Sequence, residues 1–366
     1  FRLQRTQSGN TLYIVHSEYP VKQLIRNGET SWTLTDVEFR DGAYLDINND
    51  PNITIDPTVT TGATTLVASS PIFVATDIGR LVRLKHGTTW GYAEITAFVT
   101  TTQVDALVKS DFGADTVTSE WRLGRWSETT GYPNAISFFQ DRLCFASGVD
   151  QAIDLSVTGD YNNFAPTKDV DGDHILTDDS AISININARR INEIQWLISN
   201  EQGLIVGSTE NEWVVRASTL GQSVTQANVQ ATRISNVGNT AVVPESAGTD
   251  TLFVDSSRKQ LHRLDYSFSS DKFTVPDITT FANYITGRGI TEQSYQKKTI
   301  RVMWSCLSGG ELIGVSYIPE QDVIAWHRHA LGGQSDQLGT PTKIESVSVI
   351  STSDNSNDEL YMVVQR

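Results

Sequence analysis

The sequence predicts an all-β chain. Helical periodicity is nearly absent, and short β-branched and aromatic runs are broken by Gly, Asn, Asp and Ser. Six segments also repeat one shape, a strand, a polar turn and a second strand. Repetition of that kind points to a β-propeller of six blades, in which ring closure removes exposed sheet edges. The spacing is irregular and no short signature recurs, so a pair of β-sandwiches is the competing arrangement.

The first unit is TLYIVHSEYPVKQLIRNGETSWTL, residues 11–34, and the second is AISFFQDRLCFASG, residues 135–148. In the third, residues 194–217, Trp196, Ile198, Leu204, Val206, Trp213 and Val215 alternate with other residues, the period of a strand. The fourth spans 251–266, the fifth 299–329 and the sixth 344–366. In DSAISININARRINEIQWL, ISINI alternates as a strand, and a short helical turn is expected near Ala188.

Residues 58–126 break the series with five or six short strands, among them TTLVAS, RLVRLKH, WGYAEITAFV, QVDALVKS and EWRLGRW. They read as a small β-barrel inserted into the propeller, entered through the Pro-, Asn- and Asp-rich linker DINNDPNITIDPT. The expected division is residues 1–57 as the first propeller part and linker, 58–127 as the barrel, and 128–366 as the rest of the propeller. The N-terminus has neither an initiator Met nor a signal-peptide core, and DELYMVVQR stops inside a strand pattern, so a fragment of a longer protein is expected.

The 366 residues are 39% hydrophobic, enough for a sizeable core, with no run of about 18 apolar residues to span a membrane. Cys144 and Cys306 lie in apolar runs and read as buried reduced thiols rather than a disulfide. The net charge is -15, concentrated in residues 128–218, where 14 acids face 5 bases, whereas residues 58–127 carry 6 of each. Such a surface gains nothing from counterion release on a phosphate backbone, which argues against tight nucleic-acid binding. An acidic wall can still serve DNA by refusing to hold it.

Candidate chemistry is sparse. In KDVDGDHILTDDS, residues 168–180, Asp169, Asp171 and Asp173 copy the start of a calcium loop. His174 and Ser180 stand where that loop needs Gly and Glu, so this is a weak calcium candidate and a solvated acidic loop is the preferred reading. His327 and His329 face one side of a strand, but zinc needs a third ligand that the neighbourhood does not supply. No nucleophile elbow, phosphate loop, HExxH helix or sialidase-type repeat occurs, so no enzyme, catalytic residue or cofactor is expected. Phe138, Phe139, Phe145, Tyr161 and Phe164 read as packing rather than a ligand shelf, and Gly159-Asp160-Tyr161 as a turn.

WRLGRWS (121–127), GYPNAISFFQDRLCFASG and TGDYNNF (158–164) together resemble the tail nozzle proteins, or tail tubular protein B, of short-tailed bacteriophages. The LYIVH…YPVKQLIR unit before them and INEIQWLISNEQGLIVGSTENEWVV and DELYMVVQR after them continue the resemblance. It implies a propeller with inserted domains, in a virion tail assembled in the host cytoplasm. It also implies a ring, a homohexamer, meeting a head–tail adaptor and tail fibre proteins. The ring would hold packaged DNA and pass it at ejection without binding it tightly. On that footing Asp169, Asp171, Asp173, Asp178 and Asp179 are expected to face the channel. The alternatives are a tail binding module recognising a fibre protein or host-surface glycan and, third, a glycoside-active propeller.

Overall fold

The computed structural model describes residues 3–147, 151–186, 192–219, 221–267, 272–335 and 339–365. Ala188 and its expected helical turn lie outside these residues. The described chain is all-β apart from one four-residue helix, Asn283–Thr286, and two 3-10 turns. It divides into two compact units, residues 1–191 with 217–230, and residues 192–216 with 231–366.

Among the described residues five four-stranded antiparallel sheets recur, each wound in simple up-and-down order. In the first unit, one sheet comprises Gln4–Ser8, Thr11–His16, Tyr19–Arg26 and Trp32–Asp36. Another comprises Ala135–Phe139, Arg142–Ala146, Ala152–Leu155 and Ile182–Asn185. The hairpin Lys168–Val170/Asp173–Ile175 interrupts this second sheet before its last strand. Tyr13, Val15 and Val21 of the one meet Ile136, Leu143 and Phe145 of the other in a shared core.

Between them in sequence lies a six-stranded antiparallel sheet running from Ile55–Pro57 to Trp121–Leu123. Its two outer ends approach each other, since Ile55 and Thr118 exchange both backbone hydrogen bonds at 2.9 Å. Ile55, Leu66, Val82, Leu84, Ile95 and Val104 fill its own core. The sheet takes in Ile55–Pro57, from the stretch read as a linker.

The second unit holds three four-stranded sheets, beginning at Ile194, Glu245 and Ile290, and the hairpin Lys343–Ser351/Asp358–Gln365. Strand parity divides these sheets between neighbouring cores. In Asp250–Val254, Phe253 joins Trp196, Ile205 and Val214, while Leu252 and Val254 join Ile290, Met303 and Tyr317. In Val302–Leu307, Met303 and Leu307 point to that second core, and Val302, Trp304 and Cys306 to a third with Ile344 and Val347. Both strands are buried along their whole length because each face meets a different neighbour. Gly207 lies under the Trp196 ring, where a Cβ would come within 2.2 Å of the indole.

Candidate functional site

The acidic loop 168–180 is fixed from beneath by the FFQDRL segment. Phe139 pairs with Arg142, leaving Gln140 and Asp141 as a two-residue hairpin loop. Both adopt positive φ, 47° and 55°, a conformation that favours Gly or Asn and costs other residues about 1 kcal/mol or more. Contacts at each position hold it there. The Gln140 side chain accepts the Val224 amide at 2.8 Å. Asp141 accepts the Tyr161 hydroxyl at 2.7 Å, and its carbonyl accepts the Gly159 amide at 2.8 Å.

Arg142 follows, only 2% exposed. Its guanidinium donates to the carbonyls of Ser156 at 2.6 Å, Asp178 at 2.9 Å, Ser180 at 2.8 Å and Asp179 at 3.3 Å. A buried cation therefore pins the backbone of the acidic loop through carbonyl dipoles, leaving the Asp178 and Asp179 carboxylates free of it. Burial lowers the Arg142 pKa, with Cys144 and Asp179 opposing that shift.

The five channel candidates are in one loop, but they do not converge. Asp169, Asp171 and Asp173 lie along the 168–175 hairpin, whose turn residues Asp171 and Gly172 have φ of 56° and 89°. Asp169 accepts the Gly172 amide at 2.9 Å, and Asp179 pairs with Lys168 at 3.3 Å. Hydrogen bonding from Thr177 and then Lys168 keeps the Asp179 pKa below the usual carboxylate range. Asp171, Asp173 and Asp178 are exposed and hold no ion pair among the described residues. Among the described residues no three His, Cys, Asp or Glu side chains gather as metal ligands. Asp169, Asp171 and Asp173 thus lack the convergence a calcium loop requires; the tight turn at Asp171-Gly172 strings them along a hairpin instead.

The hairpin leans on the six-stranded sheet. The His174 amide donates to the Thr88 carbonyl at 3.3 Å, and His174 Nδ1 accepts the Trp90 amide at 3.2 Å. Behind them Arg83, 1% exposed, donates to Thr167 at 2.6 Å and lies over the Trp90 and Tyr44 rings at 5.0 and 5.5 Å. Burial and then Arg83 lower the His174 pKa against the pull of Asp169 and Asp41, while burial raises that of Asp41. These elements border a cleft of about 410 Å³, lined by Trp90, Tyr92, Lys168, Asp169 and His174 among others.

The aromatics are packing. Phe39, Trp126, Phe145 and Phe164 interlock with ring centroids 5.0 to 6.0 Å apart. Phe138 meets Tyr13 and Tyr161 edge-on. Cys144 and Cys306 are buried free thiols, raised in pKa by that burial. Arg83, Arg142 and the buried Arg125–Asp154 pair at 3.1 Å were not singled out in the sequence. Their one signal there is a charge set inside or beside an apolar run.

Residues 132–299 match the family model described as bacteriophage nozzle protein. That segment is similar to nozzle-family sequence. It covers slightly less than half of the 366 residues and contains FFQDRL, TGDYNNF and the acidic loop. LYIVH, WRLGRWS and DELYMVVQR fall outside the nozzle match. No curated protein matches the chain. Among solved structures, a protein from Lactobacillus plantarum is 12% identical, with 98% of this chain and 93% of that one covered and a TM-score of 0.35. An auxiliary nutrient binding protein from Bacteroides thetaiotaomicron is 8% identical, with 88% and 82% covered and a TM-score of 0.35.

Proposed function

We propose that this chain is a structural protein of a phage tail, a subunit of the nozzle through which DNA is retained and then ejected. The observation that carries the reading is the nozzle match over 132–299, which includes an acidic loop whose backbone is anchored by Arg142. The proposed architecture is a six-bladed propeller built from residues 1–57 and 128–366, with the barrel 58–127 inserted. Strands buried on both faces, as in Asp250–Val254, support stacked blades. The proposed assembly is a hexameric ring in the virion tail, contacting the head–tail adaptor and fibre proteins. Its role is mechanical rather than catalytic.

In this reading Asp169, Asp171, Asp173, Asp178 and Asp179 face the channel. Repulsion between exposed charges fades beyond a Debye length of about 8 Å at physiological salt, so the carboxylates act only on DNA passing close by. Over that range they deny phosphates the counterion-releasing contacts that make DNA stick. Virions carrying Asp→Lys at all five positions should eject DNA more slowly, with the defect relieved by added salt. Ejection at the wild-type rate at every salt concentration would remove these residues from the channel.

A second reading, a tail module that binds a fibre protein or host glycan, draws on the cleft beside Trp90 and Tyr92. A glycan array probed with the full protein separates the two.

A further inference from the structure

The outer strand Val323–His329 carries a histidine pair that the nozzle reading leaves without a task. His327 Nδ1 and His329 Nε2 stand 2.6 Å apart, with ring centroids 4.8 Å apart. Their surroundings hold them in that pose. His327 is paired across the sheet with Gly314, and Gly314 with Trp304. A Cβ on Gly314 would lie 2.3 Å from His327 Cε1, so the glycine leaves the space in which the ring rests. The Trp304 ring backs both imidazoles edge-on, with centroids at 5.8 and 4.9 Å. His327 Nε2 faces Ser316 Oγ at 3.4 Å. One proton is shared across that gap, and a cation replacing it meets lone pairs on both rings once His327 carries its proton on Nε2, toward Ser316, and His329 carries its own on Nδ1.

We propose that His327 and His329 form an open two-imidazole site for a borderline divalent cation, with copper(II) preferred. Imidazole nitrogens suit copper, nickel and zinc, and affinity rises to copper along the first-row series. Geometry favours the same ion. Two nitrogens bound at about 2.0–2.1 Å lie about 2.9 Å apart at a right angle and about 3.3 Å apart at the tetrahedral angle. The observed pair therefore opens by a few tenths of an ångström for tetragonal copper and by more for tetrahedral zinc. The hydroxyl of Ser316 supplies the outer hydrogen bond that metal-ligating histidines use to fix their tautomer. Arg328 keeps its charge on the other face, donating to the Tyr284 carbonyl at 2.6 Å. Among the described residues no third His, Cys, Asp or Glu joins the pair, so water completes the coordination and the ion exchanges freely.

Titration of the metal-free full chain with copper(II) chloride, read by calorimetry and by electron paramagnetic resonance, tests this. The wild type should bind one equivalent with nitrogen hyperfine structure from two imidazoles, and zinc chloride should bind more weakly. H327A and H329A should each weaken copper binding by at least about tenfold. G314A, which crowds the His327 ring, should weaken it while both ligands remain. Both residues are on an outer strand, and unchanged circular dichroism would separate ligand loss from misfolding. Copper affinity equal in the wild type and the H327A/H329A double variant would overturn the site.

Discussion

Arg142 shows how a single side chain can serve a surface it does not join. It opens the apolar strand Arg142–Ala146, paired with Phe139 across the hairpin and followed by Leu143, and four carbonyls rather than a carboxylate satisfy it. Carbonyls answer its hydrogen-bonding needs without neutralising the acids beside them, so the loop stays both ordered and negative. R142A leaves the carbonyls of Ser156, Asp178 and Ser180 without their donor, at a cost of about 3 kcal/mol. Hydrogen exchange should accelerate through residues 156–160 and 177–182 before other regions respond. R142K restores a point charge but not the planar fork, and should recover only part of that protection. Unchanged exchange in R142A would mean that the loop is held by something else.

At the scale of elements, the repeated unit is a sheet whose inner strands serve two cores. Phe253 faces one core while Leu252 and Val254 face the next. Such a strand tolerates little added volume, because relaxation on one face strains the other. G207A drives a methyl into the Trp196 ring and should destabilise the sheet beginning at Ile194 by at least about 2 kcal/mol. Chemical denaturation followed by hydrogen exchange in residues 194–217 measures this, and wild-type protection there would contradict the packing described. The alternation of Trp196, Ile198, Leu204 and Val206 makes this sheet legible in the sequence, since a period of two survives whatever the neighbours are. The fourth strands were harder to read. Trp32–Asp36 is exposed along its length, so no apolar face distinguishes it. The site was legible as composition but not as geometry. Alternating Asp169, Asp171 and Asp173 suggest a calcium loop, yet the Asp171-Gly172 turn makes a hairpin of them. Arg83 and Arg142 act through partners distant in sequence, Thr167 and the 178–180 carbonyls, which no local pattern discloses.

For the whole molecule, the charge distribution is the feature that links chemistry to the proposed role. The net charge of -15 is drawn largely from residues 128–218, and their acidic loop lies within the nozzle match. A closed ring requires a head-to-tail interface, and its lumen is the one surface where like charges from all subunits meet. In the proposed ring, acids concentrated there would destabilise assembly slightly but keep DNA moving, whereas the same acids on the outer wall would do neither. A cryo-electron microscopy map of the assembled tail, at side-chain resolution, shows which way these acids face. The expected result is a ring in which Asp169, Asp171, Asp173, Asp178 and Asp179 line a DNA-wide lumen. A ring that carries all five on its outer wall would contradict it.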